Sequence, residues 1–189
     1  MGERASVPPF LPFYSFCGMI SRNDWRERDG NESIEARHKM NQEITYTNNI
    51  SIEGYNSLRK SVDWIQVTPK RAAIALKNTF YLCVAMCAGQ PVGMTRIVSD
   101  GGYTYFITDV IVNPAYQGRH IGTELIRRAL DYIQKDVMEG ETVMISLMSA
   151  FDRESFYKRF GFHQRPFGNH GSGMSMWVTR DEAGNVSAH

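Results

Sequence analysis

The stretch PAYQGRHIGTELIRRAL, residues 114–130, sets two glycines and two basic-capable side chains between a proline and a run whose apolar residues recur at helical spacing. A helix start presents unpaired backbone N–H groups and the positive end of the helix dipole, and small residues there let an anion approach the main chain. QGRHIG therefore reads as an anion cradle, in which Gly118 and Gly122 remove bulk and Arg119 adds charge. It is not a nucleotide P-loop, which needs G-x-x-x-x-G-K-[ST], and the dinucleotide fingerprint G-x-G-x-x-G is absent. Taken alone, the loop fits a tight strand-to-helix turn with no ligand at least as well.

Other side chains with chemical capacity are few. Asp109 lies in the strand-like run before the loop. Strict alternation puts it with Ile107 and Ile111 and opposite Thr108 and Val110, which leaves a catalytic base and a structural hydrogen-bond acceptor both open. Cys83 and Cys87 share a strand face with no histidine or second cysteine pair beside them, so they read as buried thiols and no metal site is expected. His163 and His170 belong to the region of RPFGNHGSG, a glycine-rich segment that either borders an acceptor pocket or simply connects two elements.

Positioning these groups takes an alternation of strands and helices. NQEITYTN (41–48) reads as a first strand. SIEGYNSLRKSVDW (51–64) puts Ile52, Tyr55, Leu58 and Val62 on one helical face with Ser51 as cap. In TPKRAAIALKN (68–78), Thr68 is the cap and Pro69 takes the first helical position, where its missing N–H costs nothing. FYLCVAM (80–86), VGMTRIV (92–98) and YTYFITDVIVN (103–113) form an antiparallel meander. Ile121, Leu125, Ala129, Ile133 and Val137 define the helix that follows the loop. TVMISLMSA (142–150) is then a strand parallel to the one before that helix, ESFYKRFGF (154–162) a short helix ended by Gly161, and GMSMWVT (173–179) a last strand.

Composition narrows the class. With 189 residues, 42% hydrophobic, 22% charged and a net charge of +1, the chain suits one ordinary domain and shows no electrostatic footprint of a nucleic-acid partner. No apolar run reaches the roughly 20 residues of a membrane span, and no membrane partner is expected. Three sparse cysteines, Cys17, Cys83 and Cys87, suit a reducing cytoplasm, which is the expected location. Residues 1–39 read as an appendage, in which VPPFLPFYSFCGMI is broken by prolines and fits a secretory signal poorly. MGERAS matches the N-myristoylation pattern, a pattern short enough to arise by chance, and Met40 is an alternative natural start. The folded unit spans 40–180, with a tail at 181–189.

DVIVNPAYQGRHIGTELI, followed one strand later by FYKRFGF, resembles the GNAT superfamily of acetyl-CoA-dependent N-acetyltransferases, whose loop reads Q/R-x-x-G-x-G/A after a strand ending V-x-P. The likeness covers residues 40–179, order of elements included. It implies an α/β (α+β) fold: a mixed, twisted sheet flanked by helices, the acyl-CoA N-acyltransferase fold, opened between 103–113 and 142–149 to receive acetyl-CoA as co-substrate. It further implies that backbone N–H groups of Gln117, Gly118, Arg119, His120, Ile121 and Gly122 hold the pyrophosphate, with Thr123 just inside the helix. The main chain of Val110, Ile111 and Val112 would align the pantetheine and polarise the thioester carbonyl. Tyr157 would be the acid for the departing thiolate, and the base would be water or, less favoured, Asp109.

One departure stands out. His120 occupies the family's first loop glycine, at little cost if its backbone is right-handed and with strain of about 1 kcal/mol or more if φ is positive. The implied activity is acetyl transfer to a primary amine of a small molecule or protein, with a homodimer left open. A non-catalytic acyl-CoA-binding module, and a helix-capped α/β fold with no such site, are the competing readings.

Overall fold

The computed structural model describes residues 43–180 and 186–188. The readings made above for residues 1–40 lie outside them. The chain divides into two units between Gln42 and Glu43, and the described elements belong to the second.

Five strands build the main sheet in the order β1 (Ile44–Thr47), β2 (Tyr81–Cys87), β3 (Gln90–Val98), β4 (Thr104–Val112) and β5 (Met144–Leu147). The first four are antiparallel neighbours and β5 runs parallel to β4, the arrangement that a helical crossover imposes. Among the described residues four α-helices accompany them: α1 (Ile52–Ser61), α2 (Pro69–Lys77), α3 (Ile121–Asp136) and α4 (Glu154–Lys158). Both expected caps form, the Ser51 hydroxyl accepting from Gly54 N–H and Thr68 from Arg71 N–H.

Each face of the sheet has its own cover. Tyr55, Leu58 and Ala72 of α1 and α2 pack on Val84, Met94 and Ile111. On the other face α3 buries Ile126, Ala129 and Ile133 against Ile97, Tyr105 and Ile107, and Ile121 and Leu125 against Cys83, Ala85 and Cys87. Close seating of α3 depends on Gly93: a Cβ there would meet the Ile111 carbonyl oxygen at 3.0 Å and Ile121 Cγ2 at 3.2 Å.

Two expectations need correction. Of GMSMWVT, only Val178 and Thr179 lie in a strand, Val178–Arg180, which pairs with Val186–Ala188, in the stretch read as tail, in a separate two-stranded sheet. Residues 171–177 carry no regular structure and are exposed. Alternating Met174, Met176 and Val178 favour an extended chain, but Gly171 and Gly173 offer no side chain to pack, and pairing is decided by the neighbour.

The second correction concerns the alternation along β4. Thr108 pairs with Arg96 and Ile111 with Met94, so Asp109 and Val110 together face Thr95 across a β-bulge, and Asp109 has φ +49°. An extra residue reverses the alternation. Ile107 therefore packs toward α3 and Ile111 toward α1 and α2, instead of sharing one face with Asp109 between them.

Candidate active site

β4 and β5 are paired only from Thr104↔Met144 to Ile107↔Leu147. Beyond Ile107, β4 runs on to Val112 with no described strand on that edge. The expected opening is thus present, and the main chain of Val110, Ile111 and Val112 borders it. Asn113 ends the strand, its side chain accepting from Ala115 N–H to shape the turn Pro114–Tyr116. The Gln117 side-chain amide donates to the Val112 carbonyl at 3.1 Å, tying the loop to the strand end.

The loop has the backbone of a cradle. Gly118 has φ +77°, a conformation that favours glycine. His120 precedes α3 at φ 59° and ψ 10°, so it is left-handed, and its side chain makes no cap hydrogen bond. Of the two costs foreseen at position 120, the strained one applies, about 1 kcal/mol or more. The first helical bond runs from Glu124 N–H to the His120 carbonyl, which leaves the amides of Ile121, Gly122 and Thr123 ahead of the bonded turn. Amides so placed, beside residues of little bulk, suit a diphosphate. Arg119 lies over the Tyr116 ring at 5.8 Å.

α4 meets the loop at Gly122. A Cβ built there would touch Phe156 Cζ at 3.4 Å and Val112 Cγ2 at 3.6 Å, so helix start, strand end and α4 converge on one residue. Tyr157, next to Phe156, is 8% exposed and packs edge-on against Phe156 and Phe162. Burial pushes its phenol above the ordinary value, so it stays protonated at neutral pH. It also lines a cleft of about 810 Å³ along β5, with Phe106, Ser146, Leu147 and Met148. Neither the loop nor Asp109 lines that cleft. A second cleft, bounded by Lys158 and Gly161–Phe167, includes His163, which stacks on Phe167, but not Tyr157. His170 exchanges backbone hydrogen bonds with Phe167.

Asp109 is 6% exposed, and its carboxylate is fully engaged. Oδ1 accepts from Arg59 Nη1 at 2.7 Å; Oδ2 accepts from Arg96 Nε at 2.7 Å and from the Tyr55 hydroxyl at 2.8 Å. Of the two roles left open by the sequence, this geometry favours the structural acceptor. Removing one arm of so buried a pair would strand a charge, at about 3–5 kcal/mol. Sequence reasoning missed Tyr55, Arg59 and Arg96 as its partners. One signal was present: a lone arginine amid the apolar residues of VGMTRIV is uncommon unless paired.

An open β4 edge, a cradle at the start of α3 and a phenol on α4 are the parts of an acyl-CoA-dependent N-acyltransferase. Residues 78–164 match the family model for an acetyltransferase (GNAT) domain. The chain is 30% identical over 141 residues to the uncharacterized N-acetyltransferase ycf52 of Pyropia yezoensis, covering 72% of this chain and 77% of that one. It is 26% identical over 140 residues to the histone acetyltransferase TAP1 of Glycine max, covering 67% of this chain and 59% of that one. Among solved structures, a probable acetyltransferase of methicillin-resistant Staphylococcus aureus superposes with a TM-score of 0.63 at 26% identity, over 70% of this chain and 98% of that one. The chain belongs to the GNAT acetyltransferase family, and it is an acyltransferase of the kind that draws on acetyl-CoA.

Proposed function

We propose that this protein moves the acetyl group of acetyl-CoA to a primary amine of a small molecule or protein by direct attack on the thioester. The observation that supports the reading is the meeting of α3, β4 and α4 at Gly122, where Phe156 and Val112 close on the first-turn amides beside the unpaired β4 edge, while Val110 of that edge and Tyr157 of α4 share one apolar cluster. Acetyl-CoA supplies an activated acyl group. The amides of Gln117 through Thr123 hold its diphosphate, and the main chain of Val110–Val112 orients its pantetheine arm and carbonyl. The amine nitrogen bonds to the carbonyl carbon as the carbon–sulfur bond breaks. Tyr157 gives its proton to the departing sulfur, whose basicity is near that of a phenol, and water takes the proton lost by the amine. Asp109, with both oxygens engaged by cations, is not used as the base.

The test is a panel of polyamines, amino sugars, amino acids and lysine peptides with acetyl-CoA, read by thiol release, beside thermal melting with and without acetyl-CoA. Stabilisation of about 2.7 kcal/mol is expected at a hundredfold excess over Kd, together with CoA release for at least one amine. Stabilisation without release from any amine would replace the reading by a non-catalytic binding module. No stabilisation at all would remove the site.

A further inference from the structure

β4 departs from regular pairing at Asp109, the same residue that gathers the most buried polar contacts near the site. A left-handed aspartate is not a conformation that a strand adopts unaided. Its side chain is held by Tyr55 and Arg59 of α1 and by Arg96 of β3. These donors are anchored in turn: Arg59 Nε donates to the Ile65 carbonyl, and Arg96 Nη1 to the Ala75 carbonyl and the Thr79 hydroxyl. One carboxylate thus ties β4 to β3, to α1 and the loop after it, and to the end of α2. The bulge that it occupies also turns Val110 to the opposite face, where Val110 packs against the cluster that contains Tyr157.

We propose that Asp109 is a positioning residue for acyl transfer. Tyr55, Arg59 and Arg96 hold its carboxylate, the carboxylate holds the bulge, and the bulge sets the β4 main chain and Val110 in register with Tyr157. This rests on the acetyl-transfer reading above and adds a device built from residues outside the loop motif. Misplacing reacting groups by an ångström costs up to about 10²-fold in rate.

Three variants of the full chain test it. Asp109→Asn keeps size and tolerance of positive φ but gives up the charge; Arg59→Lys keeps the charge but not the forked geometry; Tyr55→Phe removes a single donor. Each is expected to lower kcat, by up to about 10²-fold for Asp109→Asn. Calorimetric affinity for acetyl-CoA should stay near wild type because the cradle is untouched, and the pH–rate profile should keep its shape. Wild-type kcat in Tyr55→Phe and Arg59→Lys overturns the inference even if Asp109→Asn does not fold. So does loss of the acidic limb in Asp109→Asn alone, which would make Asp109 the base, or a fall in affinity that tracks kcat and Tm, which would make it merely structural. A wild-type chain that releases no CoA with any amine overturns the acetyl-transfer reading as well; active wild type beside equally active variants overturns this inference alone.

Discussion

At the scale of single residues, the proposed acid is the sharpest point of attack. Tyr157 has no charged group among the causes of its raised pKa; burial alone accounts for the direction. Tyr157→Phe keeps the ring contacts with Phe156 and Phe162 and deletes only the transferable proton. Steady-state kinetics should show kcat lowered by about 10²–10⁴-fold with acetyl-CoA affinity nearly unchanged. The wild-type alkaline limb should lie above the free phenol value of about 10. Unchanged turnover would take Tyr157 out of the mechanism. The helix that carries this residue and the loop before α3 were legible in the sequence because their signals are local: FYKRFGF and QGRHIG are contiguous. The Asp109 network was not, because its partners lie 54, 50 and 13 positions away and nothing in either neighbourhood names the other.

Elements were legible wherever one periodicity holds throughout. α3 repeats apolar residues on one face and stands where the spacing puts it, as do both capped helices. Alternation fails at a bulge, since one inserted residue exchanges the faces of everything beyond it, and the pattern of β4 does not reveal which residue is extra. It fails again for 171–177, where an extended pattern does not say what, if anything, pairs with it. The start of α3 sets helix stability against function. Glycine inside a helix costs about 1 kcal/mol relative to alanine, and a Cβ at Gly122 would find only ordinary contacts, at 3.4 Å to Phe156 and 3.6 Å to Val112. Gly122→Ala is therefore expected to raise unfolding free energy by about 0.5–1 kcal/mol and to raise KM for acetyl-CoA, because the methyl group sits among the first-turn amides. Denaturant melts and initial rates check both halves. Equal stability with equal KM would mean that the anion does not approach Gly122.

Across the whole molecule, the phenols set the alkaline limit of stability. Burial raises Tyr46, Tyr55 and Tyr157, with Glu124 adding to the first and Asp109 to the second. Burial also raises Tyr81, to about 12, and Tyr105 reaches about 12 chiefly through its hydrogen bond to Asp136. Every one of these shifts makes the folded chain hold its proton more tightly than the unfolded chain does. Below the unfolded value of about 10 both states are protonated and the contribution is fully present. Between that value and the folded one, the unfolded state binds fewer protons, so stability falls as pH rises. Burial raises the Cys83 thiol as well, from an ordinary value of 9.0, so urea midpoints should begin to fall from about pH 9 and drop more steeply from about pH 10 to 12. Tyr81 is the probe of choice, because it has no part in the site and its ring stacks on Tyr132 at 4.2 Å, a contact that phenylalanine keeps. Tyr81→Phe should make the alkaline drop shallower while leaving kcat at neutral pH unchanged. A drop of the same steepness would show that burial of this phenol is not part of what limits the fold at high pH.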